Sequence, residues 1–472
     1  MATQTLSPIV TIDPSTEEQI ERFEPFSPQR IEEALQRAST AFRAWRATSF
    51  SERSSAMRKV GMLLRERKND YASLATREMG KPIAEAEAEV EKCATACDYF
   101  ASEAERLLAD SPHPSSATES YVAFRPLGIV LAVMPWNFPF WQVFRFGAAA
   151  LMAGNVAVLK HASNVTGCSL AIEKLFLDAG FPRGVLGAIV VPGSEIDKII
   201  ADRRIVAVTL TGSDATGSAV AATAGKHLKK TVLELGGSDP FIVLADADLD
   251  LAADFAVRAR FQNTGQSCIA AKRFIVESAI YDDFLERFVT RAKSLAFGDP
   301  SDRNNKLGPM ARGDLRDGLF KQIEETASRG GRIATGGHKP SRKGYFLEPT
   351  IVTDVLPGMP MFEQETFGPA AAVVRARSAE EAVAIANDSQ FGLGGNLWTR
   401  DLERAKRLAG DMETGNVFIN GMTASDPRLP FGGVKRSGYG RELSEFGIHE
   451  FTNIQTVWIG PAKQPSATRA SE

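Results

Sequence analysis

The most constraining feature of the sequence is a series of short, wholly apolar runs separated by segments with helical spacing. The runs are Ile129–Met134, Val156–Leu159, Val185–Val191, Ile205–Leu210 and Thr231–Leu235. Helical patterns follow Ser163, Ser194 and Ser213. Strands that are buried on both faces read as continuous apolar runs, and strands that alternate with helices form parallel sheets. The sequence therefore predicts an α/β fold with doubly wound sheets, an architecture that is typical of nucleotide binding but does not fix function.

The segments on either side of this series extend the prediction. The first hundred residues have helical spacing, with a proline after an N-cap serine at Ser27-Pro28 and a further helix that opens at Pro82. Both are preferred helix starts. A second series of strands and helices runs from Pro240 to about Asn420. We therefore expect two stacked α/β domains with a boundary near Leu235–Pro240.

The composition excludes several classes of protein. Lysine and arginine number 55 against 58 aspartate and glutamate residues, a net charge of −3, which gives no electrostatic basis for binding nucleic acid or a membrane surface. Four cysteines without a CxxC pair and five scattered histidines predict neither a disulfide scaffold nor a metal site. Met1–Val10 has no signal-peptide pattern, and Arg145 interrupts the apolar stretch Phe140–Leu159. We therefore expect a cytoplasmic enzyme without a membrane span.

Cys268 is the cysteine with the most unusual surroundings. Cys93, Cys97 and Cys168 lie in helical patterns, whereas Cys268 follows the polar, glycine-containing turn Phe261–Ser267. A cysteine is a good nucleophile once its pKa is lowered or a base is adjacent. Cys268 is therefore either a nucleophile at the domain junction or one more structural cysteine.

Other polar groups also stand in apolar surroundings. Glu234 lies within Leu233–Gly237 (LELGG), where burial would raise its pKa and suit it to general-base catalysis; a salt-bridged glutamate at a strand end is the alternative. Asn137, braced by the prolines of Pro135–Pro139, can donate to an oxyanion or only shape a turn. The segment Val208–Gly217 ends in a glycine turn before a helix, which suits a pyrophosphate or is ordinary turn chemistry.

Together these segments resemble the aldehyde dehydrogenase superfamily along nearly the whole chain. The matching motifs, in chain order, are Pro135–Pro139 (PWNFP), Thr211–Ser213 (TGS), Leu233–Gly237 (LELGG), Asn263–Cys268 (NTGQSC), Glu365–Pro369 (ETFGP) and Pro430–Gly438 (PFGGVKRSG). The resemblance implies an aldehyde dehydrogenase-like fold. Its parts are a dinucleotide-binding domain at 1–110 and 127–235, a catalytic domain at 236–436, a bridging and oligomerisation element at 111–126 and 450–460, and a tail at 461–472.

The same resemblance implies the covalent oxidation of an aldehyde. Cys268 would attack the aldehyde carbon, and the Asn137 amide and the Cys268 backbone N–H would hold the oxyanion. After hydride transfer to a nicotinamide, Glu234 would activate the water that hydrolyses the thioester. Splitting the oxidation into such steps is the general advantage of covalent catalysis.

The resemblance also implies the cofactor contacts. It places Lys160 at the adenosine ribose, Glu365 at the nicotinamide ribose with Phe367 beside it, and Trp136, Gly212 and Ser213 along the dinucleotide. Ser163 stands where NAD-restricted members often carry a glutamate that repels a 2′-phosphate. A hydroxyl with a nearby lysine would accept that phosphate, so we expect NADP to be preferred and NAD to be possible.

Arg145 is the basis of the substrate prediction. It lies eight residues after Asn137 and matches the carboxylate-binding arginine of succinate-semialdehyde dehydrogenases, whose assisting serine matches Ser425; Trp141 would narrow the tunnel. The string Phe138–Arg145 is similar to the bacterial and cyanobacterial branch that uses NAD(P). A guanidinium needs an anionic partner, and the alternative to a substrate is a carboxylate on a neighbouring helix.

The sequence also bears on the assembly of the protein and on rival functions. The resemblance implies a homodimer or homotetramer formed through Ser120–Arg125 and Phe451–Ile459, because exposed strand edges pair with other chains. Rival substrates within the family are glutaric semialdehyde, an aminoaldehyde or an aliphatic aldehyde. A different class, a cysteine hydrolase or acyltransferase, would need a histidine base close to Cys268, and none of the five histidines stands in a comparable motif.

Overall fold

The computed structural model describes residues 7–461, and its helices confirm the predicted helix starts. Ser27 accepts a hydrogen bond from the Arg30 backbone at the start of the first long helix, and Pro82 directly precedes the longest one. The helices are α1 Pro28–Trp45, α2 Phe50–Glu66, α3 Lys68–Met79, α4 Ile83–Leu107, α5 Trp141–Met152, α6 Thr166–Asp178, α7 Ile196–Ala201, α8 Asp214–Lys226, α9 Leu249–Phe261, α10 Tyr281–Lys293, α11 Gly313–Ser328, α12 Pro360–Glu363, α13 Ala379–Asn387, α14 Leu402–Gly410 and α15 Ser444–Glu450.

The strands form two large sheets, one three-stranded sheet and two two-stranded sheets. They are β1 Ile9–Asp13, β2 Glu18–Phe23, β3 Ser111–Pro112, β4 Glu119–Pro126, β5 Ile129–Met134, β6 Val156–His161, β7 Leu186–Ala188, β8 Ile205–Thr211, β9 Lys230–Glu234, β10 Asp239–Val243, β11 Ala271–Glu277, β12 Arg332–Thr335, β13 Thr350–Thr353, β14 Ala370–Ala376, β15 Phe391–Gly392, β16 Gly394–Trp398, β17 Asn416–Ile419, β18 Val434–Lys435, β19 Gly438–Tyr439 and β20 Thr452–Ile459.

The first large sheet contains all five apolar runs that predicted it. Its strand order is β19-β9-β8-β5-β6-β7, and every pair except β19 with β9 is parallel. The run Val185–Val191 gives a shorter strand than predicted, Leu186–Ala188, which lies at the sheet edge. The chain proceeds from β5 to one side of the sheet and then returns to β8 on the other side. Ligands of open α/β sheets bind beyond the strand ends at such a reversal.

The second large sheet confirms the α/β series predicted after Pro240. Its order is β12-β13-β14-β11-β10-β16-β17, and only the edge strand β12 is antiparallel. Separate apolar clusters cover its two faces. The domain boundaries themselves stay predictions.

The third sheet brings together the two segments proposed for oligomerisation. Strand β20 pairs with β4 along its whole length in antiparallel register, and β3 extends the sheet on the other side of β4. On β20, the side chains of Ile454 and Trp458 are exposed, at 63% and 55%. The sheet therefore presents an apolar surface on its outer strand.

The N-terminal segment corrects one prediction. Residues 9–23 form the antiparallel hairpin β1–β2 rather than the helix that was expected throughout the first hundred residues. Asp13 accepts hydrogen bonds from the Ser15 backbone and hydroxyl, and Glu17 takes a left-handed φ of 60°. These are turn conformations, and they reverse the chain before a helix can form.

The apolar stretch around Arg145 is protein core. It comprises α5, in which every residue is buried, and the buried strand β6 that follows. No helix within residues 7–461 is long and apolar enough to cross a membrane. Across the same part of the chain, no group of three or more His, Cys, Asp or Glu side chains is arranged to hold a metal ion.

Candidate active site

Cys268 lies in the connection between α9 and β11, directly after a strained turn. Asn263 and Thr264 both have positive φ, 56° and 54°, a conformation that costs energy in residues other than glycine and that the surrounding structure must maintain. Arg260 is fully buried and donates to the carbonyl of Gly265 in the turn at 2.6 Å and to that of Gly368, which packs against Gly265, at 2.8 Å. The carboxylate of Glu85 on α4 accepts from the Asn263 backbone at 2.5 Å. The backbone leading to the thiol is therefore fixed from several sides.

Asn137 is held against the same turn. Its backbone carbonyl accepts from the Asn263 amide at 2.8 Å, and its own Nδ2 donates to the Gln266 carbonyl at 3.1 Å. The Phe138 backbone donates to Asn137 Oδ1 at 3.2 Å, which orients the amide. An amide nitrogen carries two hydrogens, so Asn137 retains one for a ligand near Cys268.

Two cavities meet at Cys268. The first is partly open to solvent and also has Trp141, Arg145 and Ser425 in its wall. The second is lined by Asn137 and by residues from the ends of β5, β8 and β9. Cys268 lines both cavities, so a molecule bound in either one can reach the region of the thiol.

The second cavity brings together five of the residues predicted to contact a dinucleotide. Trp136, Gly212, Ser213, Glu365 and Phe367 all line it. It lies at the β5/β8 reversal of the first sheet, where ligands of this architecture bind. The Trp136 and Phe367 rings meet edge to face, with centroids 5.7 Å apart. Ser213 caps α8, and a helix N-terminus suits an anion.

Lys160 and Ser163 are not in the wall of this cavity. They lie at and just after the end of β6, the strand next to β5. Burial lowers the pKa of Lys160. A partly buried ammonium at the same sheet edge as the cavity favours an anionic ligand.

The geometry around Glu365 also fits a dinucleotide. Its carboxylate accepts from the Gly237 backbone at 3.0 Å and lies 3.5 Å from Lys272. A Cβ on Gly236 would come within 2.5 Å of Glu365 Oε2, so a side chain at that position would crowd the carboxylate. The residues present therefore suit a ligand with an anionic diphosphate and a hydroxyl-bearing ribose.

Glu234 ends β9 and is 2% exposed. Burial raises its pKa well above the usual range, and Glu442 raises it further, whereas Arg145 opposes the shift. Neither of its carboxylate oxygens has a hydrogen-bond partner among residues 7–461. Glu234 is not in the wall of either cavity at Cys268, but it is close enough to raise the pKa of Cys268.

Arg145 already has a carboxylate partner within the protein. Its guanidinium forms a buried ion pair with Glu442, approaches Glu234 to 3.9 Å and donates to Thr211 at 3.2 Å. It also stacks over the Phe431 ring, 4.5 Å from the centroid. The main contact of Arg145 is therefore a salt bridge within the protein, which was the alternative to a substrate contact. Its partner, Glu442, follows the glycine-rich motif Pro430–Gly438 and does not lie on a neighbouring helix. Its role as a substrate ligand stays a prediction.

Several charged residues of this region were missed from the sequence, among them Lys92 and Glu442. Lys92 on α4 donates to Ser425 Oγ at 2.7 Å and lies 4.4 Å from the Trp141 ring centroid. Its signal was available, since it is the only lysine of α4 and precedes the small, buried residues Cys93 and Ala94. Glu442 had no such signal, because only the tertiary fold brings it to α5.

The thiol of Cys268 is subject to opposing influences. Burial raises its pKa to about 11, and Glu365 and Glu234 raise it as well. Arg145 and Lys272 lower it. The reactive thiolate therefore requires a base or added positive charge near the sulfur.

Comparisons with known proteins agree with this arrangement. Residues 1–457 match the aldehyde dehydrogenase family. The NAD(P)+ succinate semialdehyde dehydrogenase Sad of Escherichia coli strain K12 is 50% identical over 95% of this chain and 97% of its own length. The NADP+ succinate-semialdehyde dehydrogenase 1 of Mycobacterium tuberculosis strain H37Rv is 50% identical, over 96% and 100%.

Solved structures give the same result. Gox0499, studied for its selection of cofactor and substrate, superposes with a TM-score of 0.95 at 43% identity, covering 96% of this chain and all of that one. Succinic semialdehyde dehydrogenase of Streptococcus pyogenes, solved with NADP+, superposes with a TM-score of 0.94 at 38% identity and the same coverage.

Proposed function

The chain belongs to the aldehyde dehydrogenase family, and we propose that it oxidises succinic semialdehyde to succinate with NADP+. The observation that carries the proposal is the position of Cys268 between two cavities. One is lined by five of the residues predicted to contact a dinucleotide. The other has the cations Lys92 and Arg145 in its wall, together with the carboxylates of Glu85 and Glu89. An enzyme that moves a hydride from an aldehyde to a nicotinamide needs both ligands to meet at one reactive atom.

We propose that Cys268 is the nucleophile, Asn137 the oxyanion donor and Glu234 the general base. The sulfur adds to the aldehyde carbon, and the unused N–H of the Asn137 amide, together with the Cys268 backbone N–H, stabilises the negative oxygen. After loss of the hydride, Glu234 takes a proton from the water that hydrolyses the thioester on Cys268. Its raised pKa makes its carboxylate a stronger base than that of an exposed glutamate. Its side chain must turn toward the sulfur, because it lies outside the walls of both cavities at Cys268.

Bound NADP+ supplies the acceptor for the hydride. We propose that Trp136, Gly212 and Ser213 hold the dinucleotide, that Glu365 and Phe367 hold its nicotinamide end, and that Lys160 and Ser163 hold the adenosine ribose and its 2′-phosphate. The names of the E. coli and M. tuberculosis relatives, which include NADP+, support this preference. Steady-state kinetics test it: kcat/KM is expected to be higher with NADP+ than with NAD+, and the reverse order would contradict it.

The choice of succinic semialdehyde is supported by the relatives' names and by the cavity that contains Arg145, Ser425 and Trp141. A panel of four-carbon aldehydes tests it, with reduced nicotinamide measured by absorbance. Succinic semialdehyde is expected to have a much higher kcat/KM than butanal, an uncharged aldehyde of equal length. Equal values would favour an aliphatic aldehyde instead, and glutaric semialdehyde and an aminoaldehyde complete the panel.

A hydrolase or acyltransferase built on Cys268 has no support in the site. Within residues 7–461, neither cavity at Cys268 has a histidine in its wall, and a cysteine hydrolase uses a nearby histidine as its base. We further propose that the enzyme acts in the cytoplasm as a homodimer or homotetramer. The exposed Ile454 and Trp458 of β20 support an assembly through the third sheet.

A further inference from the structure

The cavity at Cys268 that contains Arg145 and Trp141, here called the substrate-side cavity, holds a second cation, Lys92, and also the carboxylates of Glu85 and Glu89. Lys92 lies in the wall of the cavity that contains Cys268, and its side chain is only partly exposed. Its Nζ donates to the hydroxyl of Ser425 at 2.7 Å and lies over the ring of Trp141 at 4.4 Å. Both of these neighbours line the same cavity. The ammonium is therefore held at the cavity by a hydroxyl and an aromatic face.

The other cations near this cavity are compensated by carboxylates. Arg145 pairs with Glu442, and Lys81 pairs with Glu89. Lys92 is different, because within the described part of the chain no carboxylate lies at ion-pair distance from its Nζ. A partly buried cation without a counter-charge is costly, and an anionic ligand removes that cost.

The titratable and charged groups that face Lys92 come from three elements. Glu89 and Cys93 lie on its own helix, Arg145 lies on α5, and Asp426 lies on the loop after β17. Burial lowers the pKa of Lys92 to about 8, and Arg145 lowers it further, whereas the three acidic groups oppose the shift. Near neutral pH most of the Lys92 side chains are therefore protonated and able to bind a carboxylate.

We propose that Lys92, with the hydroxyl of Ser425, binds the terminal carboxylate of the substrate while its aldehyde carbon lies at Cys268. The proposal rests on the proposed function and assigns the recognition of the substrate's charge to a side chain on α4. The ligand class is a short aldehyde with a carboxylate at its far end. Ser425 already accepts from Lys92 and retains its hydroxyl hydrogen to donate to a carboxylate oxygen.

Arg145 has a different part in this arrangement. The guanidinium of Arg145 compensates the buried carboxylates of Glu442 and Glu234. Both carboxylates lose this counter-charge when the guanidinium is removed. A change at Arg145 therefore affects the reaction of every aldehyde. A change at Lys92 affects mainly the aldehydes that carry a carboxylate.

The test compares succinic semialdehyde with butanal in the full-length enzyme, using NADP+. A hydrogen bond to a charged group contributes about 1.5–3 kcal/mol, so Lys92→Met is expected to raise the KM for succinic semialdehyde about 10- to 100-fold. Its kcat/KM for butanal should change far less. Lys92→Arg should keep most of the wild-type preference for succinic semialdehyde over butanal. Arg106→Met, an exposed change on the same helix (69% side-chain exposure), controls for loss of charge from α4.

Inhibition by succinate gives a second readout that does not depend on turnover of the acid. Succinate should inhibit butanal oxidation by the wild-type enzyme and the Lys92→Arg variant, and much more weakly in Lys92→Met. The proposal would be overturned if Lys92→Met lowered kcat/KM equally for succinic semialdehyde and butanal. It would also be overturned if an active Lys92→Met enzyme kept the inhibition constant of the wild type for succinate. A wild-type enzyme with equal kcat/KM for butanal and succinic semialdehyde would instead refute the proposed substrate.

Discussion

Replacing Arg145 by methionine should destabilise the protein and impair the oxidation of all aldehydes. The change leaves the Glu442 carboxylate, which is 2% exposed, with Thr209 as its only hydrogen-bond partner among residues 7–461, at 3.5 Å. Removing one partner of a buried ion pair costs about 3–5 kcal/mol. The entropy of unfolding is about 2.1 cal/mol/K per residue, or about 1 kcal/mol/K for 472 residues. The melting temperature should therefore fall by about 3–5 °C.

The pH dependence of this loss has a defined sign. Burial raises the pKa of Glu442, and Arg145 opposes that rise, so the pKa rises further in the variant. A group whose pKa is raised by folding stabilises the protein at low pH and ceases to do so as the pH rises through the folded value. The difference between the wild-type protein and Arg145→Met should therefore grow from acidic to alkaline pH.

Differential scanning calorimetry across that pH range measures the effect, and a second substitution supplies the control. The double variant Arg145→Met with Glu442→Gln removes both charges and should recover most of the lost stability. A melting temperature of Arg145→Met equal to that of the wild type would refute the account of the ion pair. So would a double variant that melts no higher than the single one. A selective loss for succinic semialdehyde would show that Arg145 binds the carboxylate itself.

Three further outcomes are expected. The ratio of kcat/KM for succinic semialdehyde to that for butanal should fall as the pH rises through about 8, where burial places the pKa of Lys92. Lys92→Arg should abolish this fall, and a ratio that is independent of pH in the wild type would contradict the assignment. Ser163→Glu should lower kcat/KM with NADP+ relative to NAD+ about 10- to 100-fold, through repulsion of the 2′-phosphate; an unchanged ratio would remove Ser163 from the cofactor site. Trp458→Glu should reduce the assembly state measured by light scattering, and an unchanged mass would exclude the β20 surface as the contact.

The strands of the first sheet were predictable because both of their faces are buried, which leaves a plain apolar run in the sequence. The same reasoning found Glu234, since a carboxylate within such a run is conspicuous. The β1–β2 hairpin was not found, because its short strands are followed by a long stretch of strong helical spacing. Its turn depends on the side-chain hydrogen bonds of Asp13, which the apolar pattern does not show.

The charges around the substrate cavity were harder to predict. Helical spacing predicts the face of α4 on which Lys92 lies. It does not predict that this face contacts the loop that contains Ser425. The partner of Arg145 is likewise separated from it by most of the chain. Sequence patterns therefore identified Arg145, which matches a position of the family. The fold was needed to show that Glu442 compensates its charge.

In the proposed reaction, Cys268 forms a covalent bond with the substrate between the two cavities. Glu234→Gln removes the proposed base and should let the thioester accumulate when NADP+ and succinic semialdehyde are added. Mass spectrometry of the quenched enzyme should then show a succinyl group on the peptide that contains Cys268, with one reduced cofactor formed per site. Cys268→Ala should show neither. A Glu234→Gln enzyme that forms reduced cofactor without any adduct on Cys268 would contradict the account.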